Sequence, residues 1–408
     1  MANVSSSNGI EKYPKLRFPE FSEPWKRVRI GDVYAERSER GAESAELLSV
    51  TMTEGVKRRS DIEGKDNSSE DKGNYKVVRI GDMVYNSMRM WQGANGISAY
   101  DGIVSPAYTV LTPKVKIANG FFGALFKTHR SISEFCRHSQ GMTSDTWNLK
   151  YPQIETIKVS MPVFREQQKI SEFLTKIEIR IEKQLGLVEH LKKYKRGVIQ
   201  VIFDDEKRDL FGEISSGKQV KLSDLMDFQN GINADASKYG RGIRFISVSD
   251  ILKNNFITYD KIIGQVDIDN RTLTTYSVTY GDVLFQRSSE TREDAGRSNV
   301  YLDIEKTATF GGFVIRGKTK RDYDPLYLKY ALDSFVVRKQ VMQCAAGAQH
   351  INVSQEDLCK VVVNLPTIDV QNRISKFISD IDLRIATEEK KANAQAILKK
   401  ALLQQLFI

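Results

Sequence analysis

Cysteine and histidine are scarce in this chain, with three of one and four of the other among 408 residues. Cys136, Cys344 and Cys359 stand at no metal-type spacing, and so few in a chain of this length exclude a disulfide framework. His129, Cys136 and His138 lie close together, but spread that way along one helix they make no recognisable ligand set. No apolar run is long enough for a membrane-spanning helix, and the opening MANVSSSNGIEKYPK has no apolar core of the kind a secretion signal needs. These absences predict a cytoplasmic protein. Catalytic motifs are missing as well. There is no glycine-rich cofactor loop paired with an NPPY-like tetrapeptide, which a methyltransferase would need, and Glu63-Gly64-Lys65 has no upstream Pro-Asp to make a nuclease site. A literal phosphate-loop pattern runs from Gly312 through Gly317-Lys318-Thr319. Its intervening Phe313, Val314, Ile315 and Arg316 favour a strand, however, and the sequel KTKRDYDP reads as a turn rather than a helix start. A second near miss, Gly212 to Gln219, ends in glutamine. Carboxylates are plentiful but form no constellation, so no catalysis is expected of this chain alone, and no metal or cofactor site.

What is present is a repeat. Residues 161–203 read MPVFREQQKISEFLTKIEIRIEKQLGLVEHLKKYKRGVIQVIF, and a shift of 204 brings them onto residues 365–407 with 11 identities in 43 ungapped positions. Numbered as heptads from Ile170 and from Ile374, the a and d positions are apolar at eight of ten places in the first copy and seven of ten, Ala392 among them, in the second. In the first these are Ile170, Leu174, Ile177, Ile181, Val188 and Leu191, continuing to Val198 and Ile202; in the second, Ile374, Ile378, Ile381 and Ile385, continuing to Leu402 and Leu406. A mean period of 3.5 favours a coiled-coil seam over a plain surface helix, and a duplicated pair predicts antiparallel packing about a pseudo-two-fold. Pro162 and Pro366 mark where helix begins. Gly186 and Gly197 weaken the first helix by about 1 kcal/mol each relative to alanine, which buried packing is expected to offset.

The globular parts echo one another too. VVRIGDMVYNSMR at 77–89 parallels SVTYGDVLFQRSS at 277–289, and TWNLKYPQIETIKVSMP at 146–162 parallels HINVSQEDLCKVVVNLP at 350–366. The expected organisation is an arm at 1–24, a domain at 25–160, a helix at 161–203, a linker at 204–217, a second domain at 218–364 and a second helix at 365–408. Strands are expected at 76–80, 83–85 and 108–111, one helix at 121–136, and an exposed charged loop at 54–73.

Net charge is +9 with a pI near 9.1, compatible with a polyanionic partner without identifying one. Nucleic-acid donors would therefore have to sit in loops. In the first half they are Lys57, Arg58, Arg59, Arg89, Trp91, Gln92 and Asn95; in the second, Asn230, Asn233, Arg287, Ser288, Ser289, Arg292 and Arg297. Arginine, asparagine and glutamine pair bidentately with purine edges, and lysine mostly meets phosphate.

PVFREQQKI and LPTIDVQNRI opening the two helices, NSMRMWQGA and GIVSPAYTV in the first half, and WKRVRIGDV near the start together give the chain a specific likeness. Over essentially its whole length it resembles the DNA-specificity subunit of type I restriction-modification systems. The PxxxEQxxI signature is intact in the first copy; the second keeps Pro366, Gln371 and Ile374 but has Val370 where the acid is usual. The resemblance implies two mixed α/β target-recognition domains joined by two long antiparallel coiled-coil helices. Each domain would read one part of a split, asymmetric site in double-stranded DNA. The helices would act as spacer and dock two methyltransferase subunits. S-adenosylmethionine, ATP and Mg would belong to those subunits and to restriction subunits. A coiled-coil scaffold with two ligand-binding domains and no DNA role is the alternative that the residues leave open.

Overall fold

In the computed structural model the described residues are 12–41, 45–52, 54–64, 66, 68–143, 146–204, 217–347 and 350–408. Most of the expected linker, with the near-miss motif at Gly212, lies outside them. The chain divides into two compact units, residues 1–185 with 390–408, and residues 186–389. The division cuts each long helix, because the two ends of each helix pack with different globular parts.

In the first unit, strands β1 (Tyr34–Glu36), β2 (Met83–Asn86), β3 (Asn95–Ile97) and β4 (Tyr108–Pro113) form an antiparallel sheet in the order β1-β4-β2-β3. In the second, β5 (Met226–Asn230), β6 (Val283–Gln286), β7 (Ser298–Val300) and β8 (Val314–Thr319) repeat it as β5-β8-β6-β7. The central strands β2 and β6 are largely buried because both faces are covered. Met83 and Tyr85 enter a core with Tyr34, Phe121 and Phe122, while Val84 enters a second cluster with Leu48, Val56 and Val110. Val283 and Phe285 likewise face away from Leu284. The phosphate-loop pattern is strand β8, with Arg316 buried in it.

The repeated Gly-Asp has a physical cause. Gly81 and Gly281 adopt φ of 91° and 89°, the left-handed region in which a side chain is strained. The aspartate after each is buried and closes the turn, Asp82 accepting from the Arg79 amide and Asp282 from the Thr279 amide, at 2.8 and 2.9 Å. Each buried carboxylate has a cation, differently placed. Arg37, following β1, holds Asp82 through two bonds of 2.8 and 3.0 Å. The second unit has Gln229 in the corresponding place, facing Arg316 on the neighbouring strand. Arg316 bonds Gln229 and the Ser277 carbonyl, and acts on Asp282 through space. Burial pushes the Asp282 carboxyl above its ordinary range, against the pull of the Thr279 and Thr319 amides and the Arg316 charge.

The single helix expected at 121–136 is two, Asn119–Leu125 and His129–His138. Thr128 breaks it by capping the second helix, its hydroxyl oxygen accepting from the Ser131 amide. Ser334 makes the same break in the second unit. The segment 54–73 is not all loop either: Gly55–Arg58 pairs with Leu48–Thr51 in a hairpin, followed by a short turn of helix at Arg59–Asp61.

Helices α1 (Phe164–Phe203) and α2 (Ile368–Leu406) start just after the two prolines. The spacing from proline to glutamine that both copies share, Pro162 to Gln167 and Pro366 to Gln371, is explained by one geometry used twice. Gln167 donates to the Pro162 carbonyl at 2.9 Å and accepts from the Ala118 amide at 3.1 Å. Gln371 donates to the Pro366 carbonyl at 2.8 Å and accepts from the Asp324 amide at 2.9 Å. The acid beside the first glutamine holds the arm: Glu166 takes both Arg17 donors at 2.8 Å and the Trp25 indole at 3.2 Å. In the second unit Val370 instead joins an apolar cluster with Phe203 and Tyr327.

All the seam residues expected from the 3.5 period are buried or half-buried. In the first unit Ile170 and Leu174 join a core with Leu402 and Leu406, with Ile177 and Ile181 half-covered. In the second, Val188 and Leu191 meet Ile381 and Ile385, and Ile374 and Ile378 meet Ile202. Lys192 pairs with Glu389 and Lys195 with Asp382, so the partner number falls as the chain number rises and the packing is antiparallel. The repeat carries Lys195–Asp382 onto Lys399–Glu178, which pair at 2.7 Å in the first unit. Gly186 and Gly197 contribute no close packing; a Cβ on either meets nothing within 4 Å. Gly197→Ala is therefore expected to stabilise the fold by up to about 1 kcal/mol, read as a higher melting temperature. A lower one would reveal a contact at that face.

Candidate nucleic-acid interface

In both units the strand after the Gly-Asp turn runs out at the same spot and is tied to the same neighbour. The Leu149 amide donates to the Ser87 carbonyl at 2.8 Å in the first; in the second the Val353 amide donates to the Arg287 carbonyl at 3.0 Å. The returning segment is pinned by a bridge between Gln140 and Asn148, matched by Ala346 and Asn352. The repeated asparagine marked this frame in the sequence. The loop that it closes was the part missed.

In the first unit Asn86 accepts from the Met88 amide, and its carbonyl takes the Arg89 amide. Arg89 stands exposed, its side chain in no ion pair or hydrogen bond among the described residues. Trp91 donates its indole N–H to the Met88 carbonyl and meets Trp147 edge-on at 5.1 Å between ring centres. Gln92 is exposed beside it. Met142, at the tip of the loop carrying Trp147, is 99% exposed. Asn95 is a correction: its side chain is fully buried and donates to the Gly93 carbonyl and the Met90 sulfur, so it shapes the turn and does not face a ligand.

The hairpin basics are less free than their sequence suggests. Lys57 pairs with Glu54 at 3.4 Å, and Arg58 pairs with Glu46 at 3.2 Å while lying over the Tyr100 ring. Arg59 turns inward to the Ile62 and Gly64 carbonyls and approaches Asp66. Between the hairpin, Asn86 and Tyr108 opens a cleft of about 380 Å³ whose walls include Ser49, Arg59, Met88 and Ser105.

In the second unit Arg287 is exposed, its guanidinium donating to the Gly312 carbonyl at 3.3 Å. Ser288 and Ser289 pair as a short strand with Ile351–Asn352, and the Ser288 hydroxyl donates to Asn352. Arg297 is tied to Asp294 at 2.7 Å, whereas Arg292 is exposed with no ion pair among the described residues. Asn233 is exposed and lies so close to Gly312 that a Cβ there would touch its side-chain oxygen. Asn230 is half-buried at the end of β5. Phe313, 69% exposed beside Arg287, was not singled out by sequence.

Arg89, Trp91 and Gln92 thus cluster in one unit, as do Arg287, Ser288 and Ser289 in the other. The exposed and half-exposed groups at the two spots differ, Trp91, Trp147 and Met142 against Phe313, Ser288 and Asn352, on a matching backbone frame. His129, Cys136 and His138 form no ligand group, and among the described residues no cluster of His, Cys, Asp or Glu is placed to hold a metal.

A sequence profile described as the type I restriction modification DNA specificity domain matches residues 22–189 and again 216–395. The type I restriction enzyme MjaVIII specificity subunit of Methanocaldococcus jannaschii is 21% identical over 339 residues, covering 78% of this chain and 77% of that one. The putative MjaX specificity subunit of the same organism is 20% identical over 367 residues, covering 84% and 81%. Among solved structures, a chain from work on assembly and conformational transition of the type I R-M system superposes with a TM-score of 0.62 at 16% identity, covering 94% of this chain and 97% of its own. The S subunit from M. genitalium gives 0.54 at 14%, covering 97% and 99%. These two structures share the fold of two mixed α/β domains and paired long helices. Two copies of one domain spanning most of the sequence settle the lineage: the chain belongs to the type I restriction modification DNA specificity family.

Proposed function

We propose that this chain is the DNA-reading subunit of a type I restriction-modification complex, each unit reading one part of a bipartite, asymmetric site. The observation that carries this is the duplicated strand-end frame, which presents different exposed side chains at the same position in the two units. A frame kept while its exposed groups change suits two readers of different sequences. The chain supplies the address and its partners the chemistry: methyltransferase subunits with S-adenosylmethionine, and restriction subunits with ATP and Mg. Its place of work is then the cytoplasm; no described helix is long and apolar enough to cross a membrane. The helices set the half-site spacing and dock the partners. Ile179 and its repeat equivalent Leu383 are exposed off the seam, as are Tyr194 and its equivalent Leu398, so the same apolar footing is offered twice. Two copies of one partner fit that duplication.

The test is methylation of a randomised-site library by the reconstituted complex, scored base by base. Arg89→Ala is expected to relax one half-site only, at about 1–3 kcal/mol for the affected pair, and Arg287→Ala the other. Replacing Lys57, Arg58 and Arg59 together weakens all sequences alike and flattens the salt dependence. Both single variants blurring the same half-site would overturn the assignment of one unit to one half.

A further inference from the structure

We infer that Lys127 is a positioning residue for reading by the first unit, clamping the hairpin tip to the turn that carries Arg89, Trp91 and Gln92. The inference rests on the reading of that unit as a half-site reader. Lys127 lies between the helices Asn119–Leu125 and His129–His138, and its ammonium donates to the Met52 carbonyl at 2.8 Å and the Gly93 carbonyl at 2.7 Å. Met52 is at the tip of the hairpin Leu48–Arg58, and Gly93 ends the turn after Trp91. The two chains touch backbone to backbone here. Gly55 has a φ of 73°, and a Cβ on Gly96 would stand 2.7 Å from the Gly55 Cα. No side chain fits between them, so the pair is held from outside by one cation bonding both carbonyls.

Packing alone does not account for the residue. The matching helix caps, Thr128 here and Ser334 in the second unit, place Asp333 at this position there, an acid paired with Lys329, so that frame is complete without a cation at this point. Burial also lowers the Lys127 ammonium to about 8, so its charge is carried against a desolvation cost that a methionine of similar length would not incur. What the ammonium adds is two charge-assisted bonds, each to a different reading loop. Without them the hairpin and the turn remain folded but lose their mutual registration, and Arg89 no longer meets one base at one place.

The experiment compares wild type, Lys127→Met and Lys127→Arg in the reconstituted methylating complex on the randomised-site library, with the melting temperature and tryptophan fluorescence of each. Lys127→Met is expected to lower discrimination roughly tenfold at the positions that Arg89→Ala maps, to leave the other half-site unchanged and to shift the Trp91 and Trp147 emission. Lys127→Arg, which keeps a cation, is expected to restore most of the discrimination. Lys127→Leu replaces Lys127→Met if the latter does not fold. Unchanged discrimination, or a loss spread evenly over both half-sites in step with melting temperature, overturns the inference. If Arg89→Ala and Arg287→Ala still map separate half-sites in that case, the DNA-reading assignment stands without it.

Discussion

Aspartate in place of Ile378 unfolds the second unit. Ile378 has no exposed surface and sits on the seam among Ile199, Ile202, Phe203, Tyr327 and Tyr330. Ile378→Asp removes that apolar burial and puts an ionised carboxylate where no donor waits. One turn further on, Asp382 already takes Lys195 at 2.6 Å and the Tyr330 hydroxyl at 2.9 Å, so a second acid there meets like charge as well. The summed cost exceeds about 4 kcal/mol, against a total of roughly 5–15 kcal/mol for a folded domain. Cooperative melting followed by circular dichroism should be lost or displaced far downward, together with assembly with the methyltransferase. Phe377→Asp is the control one residue away. Phe377 is 48% exposed, so the fold should hold and only partner binding should weaken. Equal melting of the Ile378→Asp variant and wild type would refute the seam.

The second large effect concerns the first unit alone. Arg37→Ala leaves the buried Asp82 carboxylate with the Arg79 amide and, among the described residues, no cation in bonding distance, at a cost of about 3–5 kcal/mol. Adding Asp82→Asn should recover part of this, because a neutral amide does not need the counter-charge. The corresponding change in the second unit, Gln229→Ala, removes only one partner of Arg316 and should cost about 1–2 kcal/mol. Denaturant melts of the three variants decide the matter. Equal losses for Arg37→Ala and Gln229→Ala would mean that the charge does not set the difference between the units.

Much of this was legible before any coordinates, and for identifiable reasons. A period of 3.5 that holds at eight of ten positions in one copy and seven of ten in the other leaves one way to bury the stripe, so the seam from Ile170 to Leu406 was readable. The Gly-Asp turns were readable because only glycine suits their backbone. The helix break at Thr128 was not, since apolar residues on both sides keep the helical spacing and only the hydroxyl competes. The reading residues were partly legible. Arg89 and Arg287 do stand exposed, but Asn95 looked the same on paper and turned inward, because its amide satisfies the turn it follows. Trp147, Met142 and Phe313 carry no local pattern, and Lys127 looks like any surface lysine until two distant carbonyls close on it.

Gln167 and Gln371 place a limit on what the helices can sense. On the domain side each amide meets a main-chain N–H, of Ala118 or Asp324, and on the helix side a proline carbonyl. A joint made of peptide groups is indifferent to the side chains borne by the chain it grips. At that one point the helix asks the domain only for a free N–H, whatever side chain the residue bears. Reading surfaces away from the packed core can therefore be rewritten while this contact with the helix stays the same, and selection for a new address need not be accompanied by repair of that joint.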